Sequence, residues 1–180
     1  MIEVYDNLID SDISNDIEKI ILNSNFPFFY SKLTVNDEDY ESSKHRKDVK
    51  DGPQLTHNFL NHGRSSKNFS DIMPLVKEMS KIINHNIALL RVKANLKFNN
   101  NNLNKDHHNT PHIDREDDSY AILYFVNESD GDMFFFTEEK VKRVSPKKGR
   151  FVLFKSNISH CGQHPINSRV RCTINFNIII

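Results

Sequence analysis

The strand-like segment 169–179 alternates between polar and apolar side chains from Arg169 to Ile178. In an extended strand successive side chains point to opposite faces. The polar face carries Arg171, Thr173, Asn175 and Asn177. The apolar face carries Cys172, Ile174, Phe176 and Ile178. If the polar face lines a lumen, Arg171 requires an anionic partner, because an unpaired buried charge is too costly. A salt bridge to an acid of the chain and exposure to solvent are the alternatives.

The C-terminal half of the chain is predominantly β in character. Short strand-like segments are separated by turn signals such as Ser129-Asp130-Gly131-Asp132 and Pro146-Lys147-Lys148-Gly149. The predicted strands are 87–98, 112–114, 120–127, 133–137, 141–144, 150–155 and 169–179. Such spacing is typical of a sandwich or barrel.

Two helices are predicted in the N-terminal half. Ser11 or Asp12 is expected to cap the first, and Ser70 to cap the second, which runs to about Asn84. Both have an apolar stripe suited to packing on one outer face of the sheet. We therefore expect a single domain, 1–180, with helical support over roughly 10–85 and a β-core over roughly 87–180.

Residues 36–67 lack a hydrophobic period and contain the breakers Gly52-Pro53 and Gly63. A stretch of this length without periodicity is usually functional or mobile. A lid over an active site and a solvated surface loop are the two interpretations.

Composition argues against several functional classes. Lys plus Arg and Asp plus Glu are both 24, so the formal net charge is zero. This balance disfavours nucleic-acid and membrane partners. The two cysteines, Cys161 and Cys172, do not form a disulfide framework. With no signal peptide or apolar span recognisable, a reducing, cytoplasmic compartment is expected.

His112 and Asp114 form an H-x-D pair that is typical of metal ligands. On an extended strand both side chains point the same way. One more histidine would complete a 2-His-1-carboxylate triad, which leaves open positions for a co-substrate and O₂. His160 is the best candidate, because a predicted strand precedes it and another follows. His107, His108 and His164 are alternatives, and a solvated His and Asp at a strand end is the simpler interpretation.

Two side chains could help Arg171 to bind an anion. Thr173 shares the face of Arg171 and offers a hydroxyl donor. Tyr124, on the strand after the H-x-D pair, could donate its phenol to a carboxylate. A buried tyrosine bonded to backbone is the alternative interpretation.

With these residues in view, the chain resembles the Fe(II)/2-oxoglutarate-dependent dioxygenases, in particular the small prolyl-4-hydroxylase-like members of bacteria and bacteriophages. The resemblance extends from about Arg91 to Phe176. The matching segments are Arg91-Val92-Lys93-Ala94-Asn95-Leu96, Pro111-His112-Ile113-Asp114, Tyr124-Phe125-Val126-Asn127, Gly131-Asp132-Met133-Phe134-Phe135, Pro146-Lys147-Lys148-Gly149-Arg150, His160 and Arg171-Cys172-Thr173-Ile174-Asn175-Phe176.

The resemblance implies a mainly β fold with flanking helices around a double-stranded β-helix (jelly roll, cupin-like) core. It implies Fe(II) held by His112, Asp114 and His160, with O₂ as a co-substrate and ascorbate as an optional reductant. It also implies 2-oxoglutarate with its far carboxylate on Arg171, aided by Tyr124 and Thr173. Arg169 also fits the family's spacing for the basic residue, but the Arg-x-Thr pattern favours Arg171.

The leading functional hypothesis is hydroxylation of a prolyl residue in a peptide or protein. A nucleobase-directed oxidative demethylase or hydroxylase and a small-molecule hydroxylase are alternatives with the same chemistry. The neutral charge and the absence of Trp disfavour a nucleic-acid substrate. A β-barrel binding module with a structural metal is the non-enzyme alternative. The sequence leaves the oligomeric state open.

Overall fold

The computed structural model describes residues 1–83 and 86–180. Its helices are α1 (Ser11–Ile21), α2 (Asp37–Ser43) and α3 (Met73–Ile83), the last preceded by a 3-10 turn at Phe69–Ile72. The strands are β1 (Ile2–Tyr5), β2 (Phe29–Ser31), β3 (Gln54–Asn61), β4 (Arg64–Ser65), β5 (Ala88–Phe98), β6 (Tyr120–Phe125), β7 (Met133–Phe136), β8 (Val141–Val144), β9 (Phe151–Lys155), β10 (Ser159–Gly162) and β11 (Val170–Ile179). The predicted end of the third helix at Asn84 lies outside the described residues.

The strands form two antiparallel sheets. The large sheet has the order β1-β9-β6-β11-β5-β3-β2, with β4 paired to β3, and the small sheet has the order β10-β7-β8. An apolar cluster joins the facing sides of the two sheets, with Leu123 and Phe125 from β6 packed against Met133 and Phe135 from β7. The prediction of a mainly β, jelly-roll core with flanking helices is confirmed.

The outer face of the large sheet packs against the helices. α1 contributes Ile17 and Ile21 to this outer core, and α3 contributes Leu75 and Met79. The cap of α1 lies one residue earlier than expected, because the carboxylate of Asp10 accepts a hydrogen bond from the Asp12 amide at 2.8 Å. No helix in the described ranges is long and apolar enough to span a membrane.

The strand β11 lies in the middle of the large sheet, between β5 and β6. Its apolar side chains lie in the outer core, and its polar side chains face the space between the sheets. The pairing with β5 aligns polar with polar residues. The aligned pairs are Arg171 with Lys97, Thr173 with Asn95, Asn175 with Lys93, and Asn177 with Arg91. The alternation in the sequence therefore separates the helix-covered core from a polar interior.

The interpretation of residues 36–67 as a stretch without regular structure is wrong. Asn36 caps α2 by accepting the Asp39 amide at 2.8 Å, and β3 pairs with both β2 and β5. A register shift between Asn58 and Leu60 interrupts the alternation of β3, which explains why no period was visible. Conversely, His112 and Asp114 do not lie on a continuous strand, because only an isolated bridge joins His112 to His160.

Replacing Phe176 tests the outer core. The ring is fully buried among the residues that join β11 to the helices. Phe176→Ala should lower the free energy of unfolding by about 3–5 kcal/mol, measured by denaturant titration. Phe29→Ala is the matched control, since that ring is 65% exposed, and it should have little effect. Equal losses in both variants would contradict the assigned core.

Candidate metal centre

A polar cavity of about 320 Å³ lies between the two sheets. The inward residues of β5 and β11 form one wall, and Leu123 and Met133 contribute apolar surface. The rim includes the segment from Ser31 to Asn36 and Asp39 of α2. The cavity therefore has one strongly polar wall, as the alternation of β11 predicts.

The Asp51 carboxylate joins this rim to the segment around Asn109, which leads to the H-x-D pair. It accepts hydrogen bonds from the Thr34 amide at 3.0 Å and from the Asn109 side-chain amide at 3.0 Å. The Thr34 hydroxyl also donates to it. Because Asn109 lies three positions before His112, this carboxylate links the rim to the position of the H-x-D pair.

His112, Asp114 and His160 converge at one place in the cavity. Each offers a ligand atom, and these atoms lie within 4.8 Å of one another. Reciprocal backbone hydrogen bonds of 3.0 and 2.8 Å between His112 and His160 bring the two imidazoles together. The Asp114 amide donates to the Ser156 carbonyl at 3.0 Å, which anchors the third member. It is the sole cluster of this kind in the part of the chain that the structure describes.

His112 and His160 each have one ring nitrogen that is available to a metal ion. His160 Nδ1 donates to the Ile158 carbonyl at 2.8 Å, and His112 Nδ1 lies 3.4 Å from the Thr110 carbonyl. A carbonyl only accepts, so the proton is on Nδ1 and the lone pair is on Nε2. Metal-binding histidines are usually oriented by such a second hydrogen bond.

Three side chains that the sequence analysis gave no role hold Asp114. Asn175 and Asn177 each donate to Oδ2 at 2.9 Å, and Arg91 Nη2 lies 3.2 Å from Oδ1. The carboxylate is only 2% exposed, so these donors replace the water that it loses. Their signal was present in the sequence, because all three lie on the polar faces of β5 and β11.

The charge states suit a metal site. Burial, and then the neighbouring His160, lower the pKa of His112 to about 3, so its imidazole is neutral at physiological pH. Burial opposes ionisation of Asp114, but His160 and the Asn175 hydrogen bond outweigh it and hold the pKa of that carboxyl below its usual value. Neutral imidazoles and an ionised carboxylate are the forms that bind metal.

The other candidate histidines lie elsewhere. His108 contacts Asp48 at 3.1 Å and the Cys161 sulfur at 3.3 Å. His164 donates to the Phe98 carbonyl at 3.0 Å, and burial lowers its pKa to about 4. Neither these two nor His107 belongs to the cluster.

Arg171 is buried in the cavity wall, whereas Arg169 is exposed. Arg171 Nε donates to the Gly131 carbonyl at 2.6 Å, but Nη2 has no hydrogen-bond partner. Two glycines make room for the side chain. A Cβ at Gly131 would lie 2.9 Å from Arg171 Cδ, and one at Gly162 would lie 3.0 Å from Nη1. An unpartnered, buried guanidinium nitrogen is the feature expected of an anion site.

The expectation that Tyr124 helps to bind an anion is wrong. Tyr124 is paired with Ile174, and directly opposite residues share a face of the sheet. It therefore lies in the outer core with Cys172, where burial raises the pKa of its phenol. Thr173, in contrast, lines the cavity beside Arg171.

The three ligand atoms would occupy only one face of the coordination sphere of a metal ion. Two imidazole nitrogens and one carboxylate oxygen form a facial set that suits Fe(II) and leaves other positions open. The cavity next to these ligands contains an unpartnered guanidinium, so a small anion that also reaches the metal would satisfy both groups. The residues present thus fit a metal together with an anionic co-substrate.

Comparisons with known proteins agree with this geometry. Residues 96–179 match a family model described as the 2OG-Fe(II) oxygenase superfamily. A comparison of the sequence with curated proteins finds no match.

Several solved structures are similar over nearly the whole chain. A prolyl hydroxylase from Trichoplax adhaerens, in complex with a hypoxia inducible factor oxygen degradation domain peptide fragment, is 17% identical with a TM-score of 0.69, covering 99% of this chain and 83% of that one. An oxidoreductase of the 2OG-Fe(II) oxygenase family from Burkholderia pseudomallei is 8% identical with a TM-score of 0.71, covering 98% and 84%. A viral collagen prolyl hydroxylase from Paramecium Bursaria Chlorella virus-1, with 2OG, is 11% identical with a TM-score of 0.58, covering 99% and 96%.

Removing one imidazole tests the metal centre. His160→Ala should weaken Fe(II) or Ni(II) binding by at least about 100-fold, because even residues that only orient metal ligands contribute up to that much. Isothermal titration calorimetry measures the affinity, and circular dichroism should show an unchanged fold. His107→Ala is the control and should bind metal normally. Retained metal affinity in His160→Ala would contradict the assignment.

Proposed function

We propose that this chain is a 2OG-Fe(II) oxygenase and that it hydroxylates a prolyl residue in a peptide or protein. The family model matched by residues 96–179 and the cluster of His112, Asp114 and His160 both support a dioxygenase that uses Fe(II), 2-oxoglutarate and O₂. The binding-module alternative is thereby set aside. The prolyl substrate is inferred from the residues around the mouth of the cavity.

In this proposal His112, Asp114 and His160 hold the iron. When bound, iron and 2-oxoglutarate supply the chemistry that splits O₂, placing one oxygen atom in the substrate C–H bond and the other in succinate as carbon dioxide is released. Asn175, Asn177 and Arg91 keep the carboxylate of Asp114 ionised and oriented. Leu123 and Met133 give the inner side of the cavity an apolar surface that helps to exclude water.

Arg171 is proposed to bind the far carboxylate of 2-oxoglutarate. Its Nη2 lacks a partner and its guanidinium lies on the cavity wall. A guanidinium can grip a carboxylate through two parallel hydrogen bonds. Thr173 lies two residues along the same face, so its hydroxyl can donate to the same carboxylate.

The observation that supports a peptide substrate is the free edge of β2 beside the cavity mouth. β2 is the last strand of the large sheet, and Ser31 at its end lines the cavity. The side chains of Phe29 and Tyr30 are 65% and 71% exposed. An extended peptide can add to such an edge through backbone hydrogen bonds, with aromatic side chains gripping it. The similarity to a peptide-bound prolyl hydroxylase over 99% of the chain supports the same view.

A small-molecule acid is the second candidate substrate. Arg91 and Lys93 line the cavity near Asp114, and burial lowers the pKa of Lys93. Lys93 forms no salt bridge with any acid in the described ranges. A cation in this position favours a substrate that carries a carboxylate, whether a free metabolite or an acidic peptide.

Paired arginine variants test the co-substrate site. Arg171→Ala should weaken 2-oxoglutarate binding by about 100-fold or more, because truncating one partner of a buried charge pair is costly. Arg169→Ala should leave the affinity unchanged, and so should Tyr124→Phe. Calorimetry on the Ni(II)-loaded protein measures the affinities without turnover. A loss confined to Arg169→Ala would refute the assignment to Arg171.

A peptide assay tests the substrate. A library of proline-containing peptides should yield a product heavier by one oxygen atom, with Fe(II), 2-oxoglutarate and O₂ present and Asp114→Ala as the inactive control. Phe29→Ser with Tyr30→Ser should raise the KM for the peptide roughly tenfold without changing that for 2-oxoglutarate. Hydroxylation of free acids alone would favour the second candidate instead.

A further inference from the structure

Lys97 lies beside Arg171 in the buried wall of the cavity. The two residues are directly paired between β5 and β11, and they are 4% and 2% exposed. Lys97 Nζ donates to the Gly162 carbonyl at 2.9 Å. The same glycine packs against the Arg171 guanidinium, where a Cβ would lie 3.0 Å from Nη1. Gly162 therefore accepts a hydrogen bond from Lys97 and leaves room for the Arg171 guanidinium beside it.

No carboxylate in the described ranges forms a salt bridge with either cation. The acids that act on them, Asp51 on Lys97 and Asp132 on Arg171, do so only through space. Burial, and then the charge of Arg171, lower the pKa of Lys97 to about 7. Burial also lowers the pKa of Arg171 to about 10. Two adjacent buried cations without an acid are unfavourable unless an anion joins them.

Lys97 has free donors for such an anion. An ammonium group has three N–H bonds, and only one is used, on the Gly162 carbonyl. The side chain lines the cavity together with Arg171 and Thr173. Lys97 therefore faces the same space as the unpartnered Arg171 Nη2.

We infer that Lys97 is a second cation for the far carboxylate of 2-oxoglutarate, so that Arg171 and Lys97 hold this carboxylate from neighbouring strands. The inference rests on the proposed role of Arg171. Arg171 supplies the planar, two-pronged grip, and Lys97 supplies a point charge. Lys97 is thus a co-substrate-binding residue, oriented by its hydrogen bond to the Gly162 carbonyl.

Binding of 2-oxoglutarate should be coupled to protonation of Lys97. With a pKa of about 7 in the free cavity, Lys97 is largely neutral at pH 8. A bound carboxylate favours the charged form, so binding should draw a proton from solvent. The charged and titratable groups around Lys97 are Arg171, Lys93, Asp51, Cys161, His112 and His164. Burial raises the pKa of Cys161 to about 12, so the thiol stays neutral throughout this range.

Calorimetry on the Ni(II)-loaded protein tests this inference with 2-oxoglutarate as the probe. Lys97→Met should weaken binding by about tenfold to a hundredfold, the worth of a hydrogen bond to a charged group. Wild-type protein should take up a fraction of a proton at pH 8, measured in two buffers of different ionisation enthalpy, and Lys97→Met should not. The affinity of the wild type should also fall by up to tenfold per pH unit above 7.

Controls separate binding from folding. Lys155→Met removes a lysine that pairs with Asp118 outside the cavity and should leave both readouts unchanged. Lys97→Met should bind Ni(II) normally, and its Tm in the absence of 2-oxoglutarate should equal or exceed that of the wild type, because an unpaired buried charge is removed. A lowered Tm with unchanged 2-oxoglutarate affinity would overturn the inference in favour of a structural role.

The outcomes also separate this inference from the proposed function. If wild-type protein binds Ni(II) but not 2-oxoglutarate, the proposed co-substrate site fails. If Arg171→Ala loses 2-oxoglutarate while Lys97→Met binds it as tightly as wild type with the same proton uptake, only the role of Lys97 fails. Loss of affinity and of proton uptake in Lys97→Met would support the two-cation site.

Discussion

The pairing of β11 with β5 is the constraint on which the rest of the structure depends. Each strand has one apolar face in the outer core and one polar face in the cavity, and the register aligns the polar residues of both. A slip of one residue would turn Arg171 toward the helices and Ile174 toward the cavity. The same alternation therefore fixes the core and assembles the site, so that the fold cannot form correctly without also forming the polar wall.

That wall concentrates positive charge inside a chain whose formal net charge is zero. Among the described residues that line the cavity, the cations are Arg91, Lys93, Lys97 and Arg171, and the acids are Asp39 and Asp114. A small anion bound in the cavity would offset this imbalance. Arg91 and the two asparagines stabilise the ionised Asp114, while Lys93, Lys97 and Arg171 form no salt bridge with an acid of residues 1–83 and 86–180.

Much of this was predictable from sequence because period-2 alternation is a local signal. It identified β11 and placed Arg171 and Thr173 on one face, but it left open whether that face lines a lumen or meets solvent. The strand that carries Arg91 and Lys97 was also predicted, although Lys97 received no role. The convergence of His160 with His112 depends on a bridge between segments 48 residues apart, so spacing alone could not separate it from His107, His108 or His164. Tyr124 was assigned to the wrong face because its orientation relative to β11 depends on a register that the sequence does not show. The strand β3 was missed because a register shift breaks its alternation.

The most direct test of the central claim is the visible absorption spectrum of the protein with Fe(II), recorded without O₂ before and after adding 2-oxoglutarate. If His112, Asp114 and His160 hold iron next to the Arg171 end of the cavity, chelation of the metal by the keto acid should produce a charge-transfer band. The band should be absent in His160→Ala. Folded wild-type protein that binds Fe(II) and 2-oxoglutarate yet develops no band would contradict the account, because the metal and the co-substrate would then occupy separate sites.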